Sequence, residues 1–151
     1  MAKQTFWNNV KNVFLNPVTG DSFELEGSYD GLALLTPAAQ LVGAALSADQ
    51  VNRGGRGIEV VVDITTLGGT TPNYTVVIEG KDPVSGKYYP LLTSAALAAV
   101  ATTVLTVYPG VTVAANLAAS RPLPPTWRVT GTTGGGAGAA VTGKVSAAVF
   151  L

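Results

Sequence analysis

From Ile58 onward the chain alternates with period two, and that pattern constrains the fold more than anything else in it. Ile58, Val60, Val62 and Ile64 interleave with Glu59, Val61, Asp63 and Thr65, so one side of an extended segment is apolar and the other faces solvent or a partner. Leu67 to Asn73 supplies a turn, and Tyr74, Val76 and Ile78 against Thr75, Val77 and Glu79 make a second strand. In Gly80 to Gly86, Pro83 presets φ and Gly86 can take φ > 0, the chemistry of a turn. Lys87 to Thr93 then returns as a third strand, expected at an edge or a bulge because Pro90 has no N–H to donate.

The alternation resumes at Leu105 and Val107 and ends at Pro109-Gly110. Ser94 to Ala101 has helical propensity but is short, uncapped and followed by β-branched residues, so it is read as strand ends around a loop. Trp127 and Val129 open the next strand, and Gly131 to Gly138 reads as a hairpin tip. The last strand carries Val141, Gly143, Val145, Ala147 and Val149 on one side. Short strands separated by turns predict an all-β fold, an antiparallel β-sandwich or jelly-roll-like body over residues 56–151. Trp127 is expected to be its central core anchor.

Residues 1–55 lack this regularity and are expected to form an irregular N-terminal arm. The boundary is placed at Asn52-Arg53-Gly54-Gly55-Arg56-Gly57, a Gly-rich basic joint. Thr36 as N-cap and Pro37 at the first helical position predict a short helix, with Leu41, Val42, Ala45 and Leu46 as its apolar stripe. Phe6, Trp7, Val10, Val13 and Phe14 also fit helical spacing. Candidate partner-binding residues in the arm are Phe6, Trp7, Phe14, Phe23, Leu34, Leu35 and Leu41. Residues 1–50 hold two basic and five acidic residues, whereas residues 51–151 hold seven basic and four acidic ones. The arm could therefore lie on a neighbour's basic body or pack on its own. Asn16 to Gly20 resembles Asp82 to Gly86, which is read as recurrence of a good turn sequence and not as duplication.

The 151-residue chain has neither Cys nor His, which removes disulfides, thiolate and His-assisted nucleophiles and the common zinc sites. Glu59 and Asp63 would lie about 13 Å apart on one strand face, too far to act as a catalytic carboxylate pair. The glycines of Gly134 to Gly138 lack the Lys-Ser/Thr of a phosphate loop. Asp82 is better explained by an Asx-type turn than by a cation site. These readings leave no catalytic, cofactor or metal residue to nominate, and an enzyme is not expected. Nine basic residues balance nine acidic ones, so nucleic acid is not expected as a partner. Tyr88 to Ser120 is uncharged and long enough to cross a bilayer, but Pro90, Pro109 and five threonines argue against a membrane span. Residues 1–11 lack a secretory signal's apolar stretch, which predicts synthesis in the cytoplasm. Only 12% of residues are charged and 47% are apolar, a composition suited to surfaces covered by other protein.

The motifs Gly57 to Ile64 (GIEVVVDI), Ile78 to Tyr89 (IEGKDPVSGKYY), Val107 to Gly110 (VYPG) and Leu123 to Val129 (LPPTWRV) resemble small virion structural proteins of tailed bacteriophages. The resemblance spans about 95 residues and is similar to the head decoration, or capsid cement, type. It implies a non-enzymatic protein on the outer surface of the capsid. Its implied partners are the major capsid protein and further copies of the chain, a trimer being favoured. A tail or neck subunit is an alternative. So is a host-attachment module that stacks sugars on Tyr74, Tyr88, Tyr89 and Trp127.

Overall fold

The computed structural model describes residues 13–15, 22–24 and 32–151. The alternating segments form strands because each can bury its branched side chains on one face only when paired in a pleated sheet. The strands are β1 (Val13–Leu15), β2 (Ser22–Glu24), β3 (Leu32–Leu35), β4 (Gln40–Leu41), β5 (Gly43–Leu46), β6 (Gln50–Val51) and β7 (Gly57–Gly68). They continue with β8 (Asn73–Lys81), β9 (Tyr88–Thr93), β10 (Thr102–Val107), β11 (Ala118–Ala119), β12 (Thr126–Gly134) and β13 (Ala140–Phe150). Two sheets pack face to face as a β-sandwich. One has the order β11-β10-β7-β13-β3 with β4 also on β13, and the other has the order β5-β12-β8-β9 with β6 also on β12. Every pairing is antiparallel except that of β10 with β11. β1 and β2 pair with each other and belong to neither sheet.

The inward faces match the alternation. Ile58, Val60, Val62 and Ile64 of β7 and Leu105 and Val107 of β10 meet Tyr74, Val76 and Ile78 of β8 and Val129 of β12. Trp127 is 0% exposed at the centre of this core, as expected of the anchor.

Two bulges keep the apolar phase where strict alternation would lose it. Thr66 pairs with Thr142 and Ile64 with Gly143, leaving Thr65 as the extra residue, so Leu67 returns toward the core. On β9, Ile78 pairs with Leu92 and Glu79 with Pro90, so Leu91 is extra and both leucines are buried. Pro90 thus sits on an edge strand beside a bulge, as its missing N–H requires.

The expected hairpin tip at Gly131 to Gly138 is corrected. Residues 131–134 continue β12, and the segment that follows carries the chain from one sheet to the other. The β7–β8 connection makes the same crossing. The two corners are tied together by Thr70 N–H donating to the Ala137 carbonyl at 3.2 Å and Gly136 N–H donating to the Thr70 carbonyl at 2.8 Å. Gly69, at φ +80°, lies so close to Gly138 that a Cβ would overlap its carbonyl.

The short helix expected within the irregular arm is also corrected. β3 and β4 pair with β13 in one sheet, whereas β5 and β6 pair with β12 in the other. Residues 32–51 are therefore a strap that spans both layers at one rim of the sandwich. Thr36 and Pro37 do not start a helix, because Ala39 takes φ +57° and its N–H donates 3.0 Å to Thr142 Oγ1, while the Pro37 carbonyl accepts from Gly143 N–H at 2.9 Å. The Asn52 to Gly57 joint is an ordered turn. Asn52 Oδ1 accepts from Gly55 N–H at 2.7 Å, and Asn52 Nδ2 donates to the Leu123 carbonyl at 3.0 Å.

Candidate interaction surface

The strap decides which apolar side chains reach the surface. Of the seven candidate partner-binding residues, Phe6 and Trp7 lie outside the described residues. Phe14 and Phe23 are directly opposite one another in the β1–β2 pairing, and their side chains are likewise outside the description. Leu35 is corrected: it is 8% exposed and belongs to the core, where it pairs with Val145. The same pairing steps from Leu35 to Ala33, so Leu34 is a bulge residue, partly buried against the core. Leu41 is 66% exposed and, of the three candidates whose side chains are described, is the one that lies open on the surface.

Val42, Leu46 and Val51 of the same strap are also more than half exposed. Sequence reasoning placed Val42 and Leu46 on a helix stripe and passed over Val51. Gln40 holds the rim in place: its Nε2 donates 3.0 Å to the carbonyls of both Gly43 and Gly131. Ser47 completes the attachment, its N–H donating to the Val129 carbonyl at 2.9 Å and its Oγ accepting from Val129 N–H at 3.0 Å. No charged residue occurs between Ala33 and Ala48, the stretch that carries Leu41, Val42 and Leu46, whereas Val51 follows Asp49.

The outer face beside the rim is chemically different. Arg128 Nε donates 2.7 Å to Glu79 Oε2, which also accepts from Thr130 Oγ1 at 2.7 Å. The Arg128 guanidinium lies 3.4 Å from the centre of the Tyr88 ring. Tyr88 in turn donates its hydroxyl to Asp49 Oδ1 at 2.6 Å, and Lys81 Nζ pairs with Asp49 Oδ2 at 2.8 Å. Lys81 first, and then Tyr88, hold the Asp49 carboxyl below its usual range, and the same contact raises Lys81. The network fastens the end of the strap to β8, β9 and β12. It brings one acid of the N-terminal third onto the chain's own basic body. Its members are paired with one another, and nothing in it couples a nucleophile to a base. Asp82 lies apart, in the turn expected for it, accepting from Val84 and Ser85 N–H at 3.2 and 3.1 Å. These bonds, led by the one from the Ser85 hydroxyl, lower its pKa.

The sugar-stacking residues do not assemble. Tyr74 and Trp127 are 1% and 0% exposed, Tyr88 is covered by Arg128, and Tyr89 alone is well exposed. Among the described residues no group of acids could hold a metal ion, and no helix is long and apolar enough to cross a membrane. No family model, curated protein or solved structure matches the chain.

Proposed function

We propose that this chain is a non-enzymatic structural protein of a bacteriophage virion, a decoration or cement protein that binds the major capsid protein on the outside of the head. The observation that carries this reading is the exposure of Leu41, Val42 and Leu46 within a stretch, Ala33 to Ala48, that holds no charge. Exposed apolar side chains of this kind cost free energy in water, a cost relieved when protein covers them. The motifs that resemble phage proteins lie in β7, the β8–β9 hairpin, the end of β10 with the turn after it, and the approach to and start of β12, so they are framework and the attachment chemistry lies elsewhere. The N-terminal segment joins the sandwich at β3, on the same rim, and its β1–β2 pair belongs to neither sheet. That segment reaches the capsid surface or a neighbouring copy, and the body assembles as a homo-oligomer, a trimer in the favoured form. A glycan-stacking role is disfavoured by the burial of Tyr74 and Trp127.

The test is quantitative mass spectrometry of purified, sedimenting phage particles, with the chain measured against the most abundant shell protein. A ratio near one, or a simple fraction of it, supports a lattice-covering cement protein. A few copies per particle moves the chain to the tail or neck, and absence from particles overturns the virion reading.

A further inference from the structure

The two sheets end in four edges, and three of them are blunted. β11 is two residues long. β3 is four residues long and slips register against β13. β9 carries Pro90 and the Leu91 bulge, and its Thr93 carbonyl accepts from Asn116 Nδ2 at 3.0 Å. Short edges, proline, bulges and charge are the usual means by which sheets avoid pairing with other chains. β5 is as short as β3 but has none of the other guards. Its sequence Gly-Ala-Ala-Leu is uncharged, its register with β12 is unbroken, and among the described residues no strand pairs on its outer side.

The direction of its backbone groups follows from one bond. Ser47 N–H donates to the Val129 carbonyl, and Ser47 lies opposite Val129 in the register that pairs Leu46 with Thr130. In an antiparallel pair the residues that bond inward alternate, so Ser47, Ala45 and Gly43 face β12 and Ala44 and Leu46 turn their N–H and C=O outward. These outward groups are symmetric about Ala45.

We infer that β5 pairs antiparallel with β5 of a second copy, about a two-fold axis through Ala45. Ala44 of each copy then meets Leu46 of the other, and the two pairs exchange four backbone hydrogen bonds. The sheets fuse in the order β9-β8-β12-β5-β5-β12-β8-β9. Leu46, 54% exposed in the single chain, comes within diagonal reach of its symmetry mate, which explains a large apolar side chain on an outer face. Neither edge carries charge and the chain's formal net charge is zero, so nothing repels the second copy. A foreign strand would satisfy the same groups, but the symmetric spacing lets one register serve both copies at once. The inference does not depend on the virion reading. Where copies also gather as trimers, a two-fold contact joins one trimer to the next.

The chain has no cysteine, so Ala45→Cys places a single thiol on the proposed axis. Two such residues in a non-hydrogen-bonded antiparallel pair lie about 4.5 Å apart at Cα, within the span of a disulfide. Mild oxidation of the full chain should link A45C into covalent dimers on the order of a hundredfold faster than V84C, a thiol on an exposed turn, because docking holds the pair at millimolar effective concentration. Light scattering should show the assembly mass of the unmodified chain halved by Ala44→Pro, whose lost N–H faces outward, and by Leu46→Lys, which charges the edge. Both variants are checked for the parent circular dichroism, and Leu46→Lys decides if Ala44→Pro does not fold. Cross-linking of A45C no faster than that of V84C, or a mass unchanged by the folded edge variants, overturns the inference.

Discussion

Gly131 lies in β12 across from Val76, and the ring of the buried Tyr74 passes over it. A Cβ at 131 would overlap the Tyr74 hydroxyl and stand 2.5 Å from the ring carbon that bears it, with Leu35 at 3.0 Å beyond. Tyr74 is 1% exposed, so its ring cannot swing away without opening the core. Gly131→Ala should therefore cost about 1–3 kcal/mol, the usual range for overpacking. In a protein of this length that lowers Tm by roughly 2–4 °C per kcal/mol. Tyr74→Phe removes a hydroxyl whose hydrogen bond, to Gln40 Oε1, is 3.5 Å long, so alone it should cost no more than about 1 kcal/mol. In the double variant the overlap with the hydroxyl is gone and the ring-carbon contact persists. The two changes should then fall short of additivity by about 1 kcal/mol, a coupling expected of residues in direct contact. The assay is urea unfolding of all four chains, with Gly68→Ala as control, since a Cβ at 68 meets nothing within 4 Å. Additivity within about 0.3 kcal/mol, or a Gly68→Ala cost equal to that of Gly131→Ala, would refute the argument from close packing.

Burial pushes the Tyr74 phenol up to about 12 from an ordinary 10. The neutral form is thus favoured by folding, and on the order of 2–3 kcal/mol of stability, complete below pH 10, should be lost as pH rises from 10 to 12. Tyr74→Phe should remove that part of the alkaline slope, read as the difference between the two chains in urea midpoints at pH 9 and pH 12. Asp49 behaves oppositely: its lowered pKa means that its contribution is present above the ordinary 3.8 and is lost as pH falls through the folded value. Asp49→Asn should flatten the acid limb of Tm against pH between pH 5 and pH 2, and an unchanged limb would sever Asp49 from the network. Trp127→Ala should cost about 3–5 kcal/mol by calorimetry, as expected for emptying a fully buried site. Deleting residues 2–50 removes Leu35 and the Ser47–Val129 bonds and should lower the urea midpoint of the remainder, whereas a deletion that stops before Leu32 keeps both. Equal midpoints for the two truncations would show that the strap adds nothing to the sandwich.

The sandwich was legible where burial alone sets the period. Ile58 to Ile64, Tyr74 to Ile78 and Trp127 to Val129 each bury alternate side chains whatever strand lies beside them. The pattern could not say which sheet a strand joins. Gly131 to Gly138 has the composition of a hairpin tip, and only the packing of its corner against Thr70 shows that the chain changes layers there. The network on the outer face was hidden for a related reason. Asp49 meets Lys81 and Tyr88 across 32 and 39 positions, and Arg128 meets Glu79 across 49, contacts fixed by register and not by local spacing.

The strap is the instructive failure. Thr36-Pro37-Ala38-Ala39 has the local chemistry of a helix start, and helix propensity in an alanine-rich stretch is a preference of tenths of a kcal/mol per residue. Against it stand bonds from Ala39 and Pro37 to Thr142 and Gly143, more than a hundred positions away, and burial of Leu35, each worth as much as several residues of propensity. Tertiary pairing therefore wins, and it turns the supposed helix stripe into an edge. One feature of the segment did survive this change of structure. Ala33 to Ala48 carries no charge, which neither a solvated surface helix nor a guarded edge strand would choose. In either conformation that absence is consistent with the inferred pairing, and the strand geometry adds what the composition lacked: outward N–H and C=O groups at Ala44 and Leu46, the groups an extended backbone would satisfy.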